Sequence, residues 1–208
     1  MLVLKLCQQF CPEKLIYTLG NKLGDGADGE VFDIANDDNK VLKLSVLYQQ
    51  DDIDPELNIE YLYNKNSKVL SALINAPTGI HARVYEYGSL GIYSRIVWGN
   101  QEQKFLLYYY VMEKLSEISK DERKVFHSLI SHEDQNKKKD FSPAGTKKIL
   151  KGLARGLDFD AERIIFFCDS LASSSIEHLD LHPRNIMKDV IGNFKLIDFD
   201  RTQIKIGD

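Results

Sequence analysis

Asp180, Asn185 and Asp198 are the residues whose types and spacing point most directly to chemistry. Asp180 and Asn185 stand five apart in the run Ile176-Glu-His178-Leu-Asp180-Leu-His182-Pro-Arg184-Asn185-Ile-Met, which reads as a loop. Asp198 closes the strand-like run Phe194-Lys-Leu-Ile197, after a short turn-bearing spacer. Two carboxylates and a carboxamide are the oxygen ligands that magnesium takes. A loop carboxylate can also accept or align the proton of a hydroxyl. Metal and proton chemistry is therefore the first expectation.

The elements upstream that must accompany this chemistry begin with a glycine trio, Gly24-Asp-Gly26-Ala-Asp-Gly29-Glu-Val31. A G-x-G-x-x-G spacing also occurs in dinucleotide-binding loops, but those open a helix. Here Glu30 to Ala35 is strand-like, Asn36 to Asn39 is a turn, and Lys40 to Leu44 is again strand-like. The expected arrangement is strand, glycine loop, strand, turn, and a strand bearing a lysine. Lys43 follows an apolar lead-in and lies on the opposite face from Lys40, its neighbour in the period-2 pattern.

Asp51 to Ile74 is predicted to be a helix, with Asp51, Asp52 and Asp54 at its start. Leu57, Tyr61, Val69, Leu70, Leu73 and Ile74 form its apolar face. Strands are expected at Arg83 to Tyr87, Ile92 to Trp98 and Gln103 to Met112, the stretch Phe105 to Met112 being nearly all apolar or aromatic, as expected of a strand buried on both faces. Downstream the chain turns helical. Ser119 to Glu122 has the form of a capping box. Ser142-Pro143 and Asp160 open two further helices, and Ser173 to Ser175 ends the last. Glu133 to Asp140, with three lysines, reads as a solvated loop. Residues 1–14 fit a strand or a helix equally well.

With 208 residues, 43% hydrophobic and 28% charged, the chain has the composition of a soluble globular protein. A net charge of −4 argues against general nucleic-acid binding. No apolar run approaches the ~20 residues of a membrane helix, and Met1 to Leu6 lacks the features of a signal peptide. Three cysteines, Cys7, Cys11 and Cys168, match no zinc spacing and suit reduced thiols in the cytoplasm.

In chain order, Gly24/Gly26/Gly29, Lys43, Glu60, Met112-Glu113, Asp180, Asn185 and Asp198 resemble the motif set of the protein-kinase-like superfamily, from Leu15 to Arg201. The resemblance implies an α+β, two-lobed fold. Residues 1–112 would form an antiparallel β-sheet N-lobe with one helix, and residues 113–208 a hinge and a reduced helical C-lobe. It also implies ATP and Mg²⁺. Gly24, Gly26, Gly29 and Val31 would close over the nucleotide, and Lys43 would meet its α- and β-phosphates, held by Glu60 (Glu56 being the runner-up). Met112 would guard the adenine pocket, with the Glu113 carbonyl and Leu115 amide on the purine edge. Asn185 and Asp198 would hold the metal, Asp180 would handle the acceptor proton, and Arg184 would neutralise the transferring phosphate.

The departures from the family pattern are equally specific. Leu179 replaces the arginine that meets a phosphorylated activation loop, His182 replaces the lysine of serine/threonine kinases, and Asp200 replaces the glycine of D-F-G. Leu181-His182-Pro183 is similar to the loop of aminoglycoside and choline phosphotransferases. The sequence stops at Asp208, before any activation segment, as in minimal kinases of some bacterial effectors and viruses. The implied function is transfer of the γ-phosphate of ATP to a hydroxyl of a protein, serine or threonine by default. The alternatives are a small-molecule phosphotransferase and a non-catalytic nucleotide-binding module. A protein substrate or activating protein partner is expected, with no nucleic acid and no membrane. The expected location is the cytoplasm, that of a host cell included.

Overall fold

The computed structural model describes residues 3–26, 28–49, 58–75, 79–97, 101–131, 142–153 and 156–205. The chain divides into two compact units, Met1–Pro77 with Arg83–Lys114, and Thr78–Ala82 with Leu115–Asp208. The second unit includes residues 78–82, a return that a simple division at 112/113 does not contain. Its cause is a short parallel pairing, in which Ala82 N–H donates to Leu196 O (2.8 Å) and Leu196 N–H to Ile80 O (2.7 Å).

The first unit opens with helix α1 (Val3–Phe10), which settles the open choice for the N-terminus. Strands β1 (Leu19–Asp25), β2 (Gly29–Ile34) and β3 (Asp37–Tyr48) follow, then helix α2 (Ile59–Asn75). Strands β4 (Val84–Ile96) and β5 (Glu102–Glu113) complete an antiparallel sheet of order β1-β2-β3-β5-β4. The expected strands at 83–87 and 92–98 are one continuous β4. The pairing with β5 shifts register between Ser89 and Gly91, and Gly91 takes φ +127°, a left-handed conformation that glycine adopts without strain. A bulge at Gly88–Gly91 thus replaces the expected break. Val97 N–H donates to Gln101 O and closes the β4–β5 hairpin.

Alternation divides the sheet residues between two helices. Leu42, Leu44 and Val46 of β3, with Phe105, Leu107 and Val111 of β5, pack with Val3, Leu6 and Cys7 of α1. Tyr108 of β5 meets α2, where Asn66 Nδ2 donates to its hydroxyl (3.3 Å) and the Tyr63 ring lies 5.7 Å away. Covered on both sides, Phe105–Tyr108 and Tyr110–Met112 are buried. On α2 the buried set is Ile59, Asn66, Val69, Leu70 and Leu73, whereas Tyr61 is 54% exposed and does not belong to the apolar face predicted for it. The predicted helix start at Asp51 to Asp54 lies outside the described residues, as do Leu57 and the loop Glu133 to Asp140.

The second unit continues with β6 (Ser116–Glu117) and helices α3 (Lys120–Ser131), α4 (Pro143–Leu153) and α5 (Ala161–Ser173). Short strands β7 (Ile176–His178), β8 (Ile186–Lys188), β9 (Phe194–Leu196) and β10 (Thr202–Ile204) follow. They form a β6-β8-β9 sheet and a β7-β10 ribbon. Phe126 of α3, Phe167 of α5 and Phe194 of β9 stack edge-on at the centre of the core. Each helix starts where the sequence places a cap. Ser142 Oγ accepts from Gly145 N–H, and Asp160 Oδ1 accepts from Arg163 N–H.

At α3 the capping box is complete. Glu122 N–H donates to Ser119 Oγ and Ser119 N–H donates to Glu122 Oε2 (2.9 Å), while Glu122 Oε1 pairs with Lys188 of β8. Removing the hydroxyl leaves one helix-start N–H unsatisfied. Ser119→Ala is therefore expected to lower stability by ~1 kcal/mol, read as a shifted urea midpoint.

Among the described residues no helix is long and apolar enough to cross a membrane. Cys7, Cys11 and Cys168 are free and buried. Burial pushes the Cys7 thiol up to about 12 and the Cys168 thiol up to about 11, which leaves both protonated and unreactive near neutral pH.

Candidate functional site

The segment from β7 to β10 is a loop framework whose hydrogen bonds tie Asp180 and Asn185 to Ile197, the residue before Asp198. Pro183–Asn185 forms a single 3₁₀ turn, started by His182, whose Nδ1 accepts from Arg184 N–H (3.0 Å). Asn185 is 5% exposed and is held at three points. Its N–H donates to His182 O, its Nδ2 donates to Asp180 O (2.9 Å), and its own carbonyl accepts from Ile197 N–H (2.9 Å). That last bond ties the loop to the residue before Asp198. The Asp189–Asn193 turn keeps β8 and β9 in register, with the Asp189 carboxylate accepting from Ile191 N–H, Asn193 N–H and Asn193 Nδ2.

Asp198 has φ 65° and ψ 79°, a left-handed conformation uncommon for residues other than glycine, though aspartate and asparagine adopt it more often than most. It stands between β9 and the 3₁₀ turn Phe199–Arg201. Strain of this kind costs about 1–3 kcal/mol and persists where the surroundings impose it. Here the neighbours on both sides are fixed, Ile197 by Asn185 and His178, and Phe199 by burial and by accepting from Thr202 Oγ1 (2.7 Å).

These groups suit a hard cation. The Asn185 amide nitrogen is committed to Asp180 O, which leaves Oδ1 as its acceptor face. No group of three or more His, Cys, Asp and Glu residues is assembled among the described residues. A cation here would therefore depend on Asp198 and Asn185, with solvent or substrate oxygens filling the remaining positions, as magnesium commonly accepts. The Asp180 side chain is 43% exposed, with His182 Nε2 at 4.0 Å from Oδ2. Arg184 is exposed and makes no ion pair among the described residues.

Beneath this loop lie two histidines. His178 is 9% exposed and bonds Ile197 O through Nε2 (2.8 Å). His81 is 1% exposed and lies 6.2 Å from the Phe199 ring. Burial holds the His81 imidazole down to about 4, with His178 and Lys195 adding like charge. Burial likewise lowers His178. His178 falls within the segment singled out in the sequence, but nothing there marks His81.

This sets a pH dependence. The unfolded chain takes up a proton at His81 near pH 6.5, while the folded protein resists until about 4. The stabilisation is complete above pH 6.5 and is lost as pH falls toward 4. Between pH 6.5 and 5 the loss amounts to about 2 kcal/mol. Urea midpoints at pH 7.5 and 5.0 should therefore separate by that much less in His81→Asn than in the wild type.

In the first unit, Gly24, Gly26 and Gly29 lie at the β1–β2 turn, where Gly26 N–H donates to Gly29 O (2.8 Å). A Cβ at Gly24 or Gly26 would meet open space. At Gly29 it would come 2.7 Å from Lys43 Cε and 2.9 Å from Leu44 O, so glycine is required there. Val31 pairs with Lys43 across β2–β3. Lys43 is 6% exposed, with Nζ 5.7 Å from the Tyr110 ring, whereas Lys40 pairs with Asp37 at the surface. Glu60 is exposed on the first turn of α2, beside the buried Ile59. Glu56 lies outside the described residues.

Met112 is 4% exposed near the end of β5. Glu113 N–H donates to Arg83 O and its carboxylate accepts from Arg83 N–H (2.7 Å). Leu115 begins the second unit and is half-buried.

No family model matches the chain, and no curated protein does. Among solved structures it is similar to WbdD. That similarity has a TM-score of 0.42 at 19% identity, and covers 90% of this chain and 34% of WbdD. The chain thus spans about a third of that structure's length.

Proposed function

We propose that this protein is an ATP- and magnesium-dependent phosphotransferase of protein-kinase-like fold, acting on a hydroxyl of a protein. The observation that carries this reading is the Asp180–Asn185–Ile197 hydrogen-bond frame. It presents a half-exposed carboxylate, a carboxamide oxygen and a strained aspartate from one rigid loop. Within the first unit a glycine turn closes against a buried lysine. Backbone amides and an ammonium of this kind suit the phosphates of a nucleotide.

In this reading Asp198 and Asn185 would hold Mg²⁺, which would supply neutralisation of phosphate charge. Asp180 aligns the acceptor hydroxyl and takes its proton. Lys43 orients the phosphates, and exposed Arg184 offsets charge on the transferring group. Met112, Glu113 and Leu115 are assigned to the adenine edge. Glu60, or Glu56 in its place, is assigned to hold Lys43.

Incubation with labelled ATP and Mg²⁺ tests the proposal, with autophosphorylation or labelling of added proteins expected. Labelling of metabolites alone would favour a small-molecule phosphotransferase, the reading supported by the Leu181-His182-Pro183 turn whose His182 stands near Asp180. A thermal shift equivalent to ~2.7 kcal/mol at a hundredfold excess over Kd, without any turnover, would favour a non-catalytic nucleotide-binding module. Neither binding nor turnover would reject all three.

A further inference from the structure

Glu30 follows the last glycine of the turn and is 3% exposed, an unusual position for a carboxylate. Both of its oxygens are used. Oε2 accepts from Leu4 N–H (2.7 Å), one of the backbone donors at the start of α1 that has no partner within the helix. Oε1 accepts from Lys22 Nζ (2.7 Å), which also lies 3.6 Å from Asp25 at the end of β1. One carboxylate therefore joins the N-terminal helix to both strands of the glycine hairpin.

The alternation of β2 gives this junction its consequence. Glu30 and Phe32 point to the α1 side, where Phe32 packs with Val3, Leu6 and Cys7. Gly29 and Val31 point to the other side, where Gly29 is in contact range of Lys43. The thickness of a single strand separates the helix from the proposed phosphate-binding face. The carboxylate also complements the positive end of the α1 dipole, so the helix and hairpin hold each other in place.

We propose that Glu30 is a positioning residue, clamping α1 onto the β1–β2 hairpin and thereby setting the hairpin's geometry for phosphate binding. The clamp stands on contacts within the first unit. Its effect on nucleotide rests on the function proposed above.

The test combines amide hydrogen exchange with ATP kinetics on the full chain, comparing wild type, Glu30→Ala, Glu30→Gln and Lys22→Met. In Glu30→Ala, exchange should rise at least tenfold both in residues 3–10 and in residues 19–32. The KM for ATP should rise about tenfold, with kcat within threefold. Glu30→Gln keeps an acceptor for Leu4 N–H and should restore most of the α1 protection. Lys22→Met should loosen the hairpin alone, and it decides the matter should Glu30→Ala fail to fold. Hairpin exchange unchanged in Glu30→Ala, or in Lys22→Met where only that variant folds, overturns the clamp. Looser exchange with an unchanged KM overturns its positioning role. If the wild type binds no ATP, the proposed function fails, and exchange alone decides whether helix and hairpin are coupled.

Discussion

Replacing Asp180 with Asn should lower kcat for phosphoryl transfer by about 10²–10⁴-fold, the range for loss of a positioned acid–base group. The substitution separates chemistry from structure. Asn185 is held by the backbone carbonyl of Asp180, so that bond survives the change of side chain. The Asp180 side chain is 43% exposed and does not support the core. The thermal midpoint and the KM for ATP should therefore stay at wild-type values while kcat falls, the pattern of a group needed in the transition state only. Turnover within tenfold of wild type would remove Asp180 from the mechanism.

Phe126→Ala should destabilise the second unit by ~3–5 kcal/mol. Phe126 is 1% exposed, with its ring 4.9 Å from Phe194 and 5.5 Å from Phe167. Truncation removes two edge-to-face contacts as well as buried area, and rings on three different elements cannot easily close the space left behind. Phe194 pairs with Lys188 across β8–β9, the hairpin whose two strands lead away from Asn185 and toward Asp198. Urea unfolding followed by circular dichroism gives the size of the effect. A loss below 1 kcal/mol would mean that the three-ring cluster is not the centre of this core.

Elements were legible in the sequence where local chemistry decides them. Ser119, Ser142 and Asp160 cap helices as their spacing predicts, because a cap needs only its neighbours three residues on. The glycine turn followed by strands was legible for the same reason. Elements were misjudged where a distant partner decides. Gly88–Gly91 looks like a break in sequence, but pairing with β5 carries the strand through it as a bulge. Tyr61 looks apolar on a helical wheel, yet it is exposed while Ile59, Asn66 and Leu70 are buried. Residues 78–82 could not be assigned to the second unit at all, since Leu196 is over a hundred positions away.

The residue types at Asp180, Asn185 and Asp198, the glycine spacing and the buried strand of Lys43 were determined by the sequence itself, because each depends on a motif within a few residues. Only the tertiary structure decided how they are held. Asn185 takes its orientation from the Asp180 carbonyl, and Asp198 takes its left-handed backbone from a strand pinned by Asn185 and His178. The burial of His81 and the Glu30 bridge to α1 were likewise invisible in the sequence. A histidine or glutamate alone is equally compatible with solvent, and its environment comes from chain segments that meet only on folding.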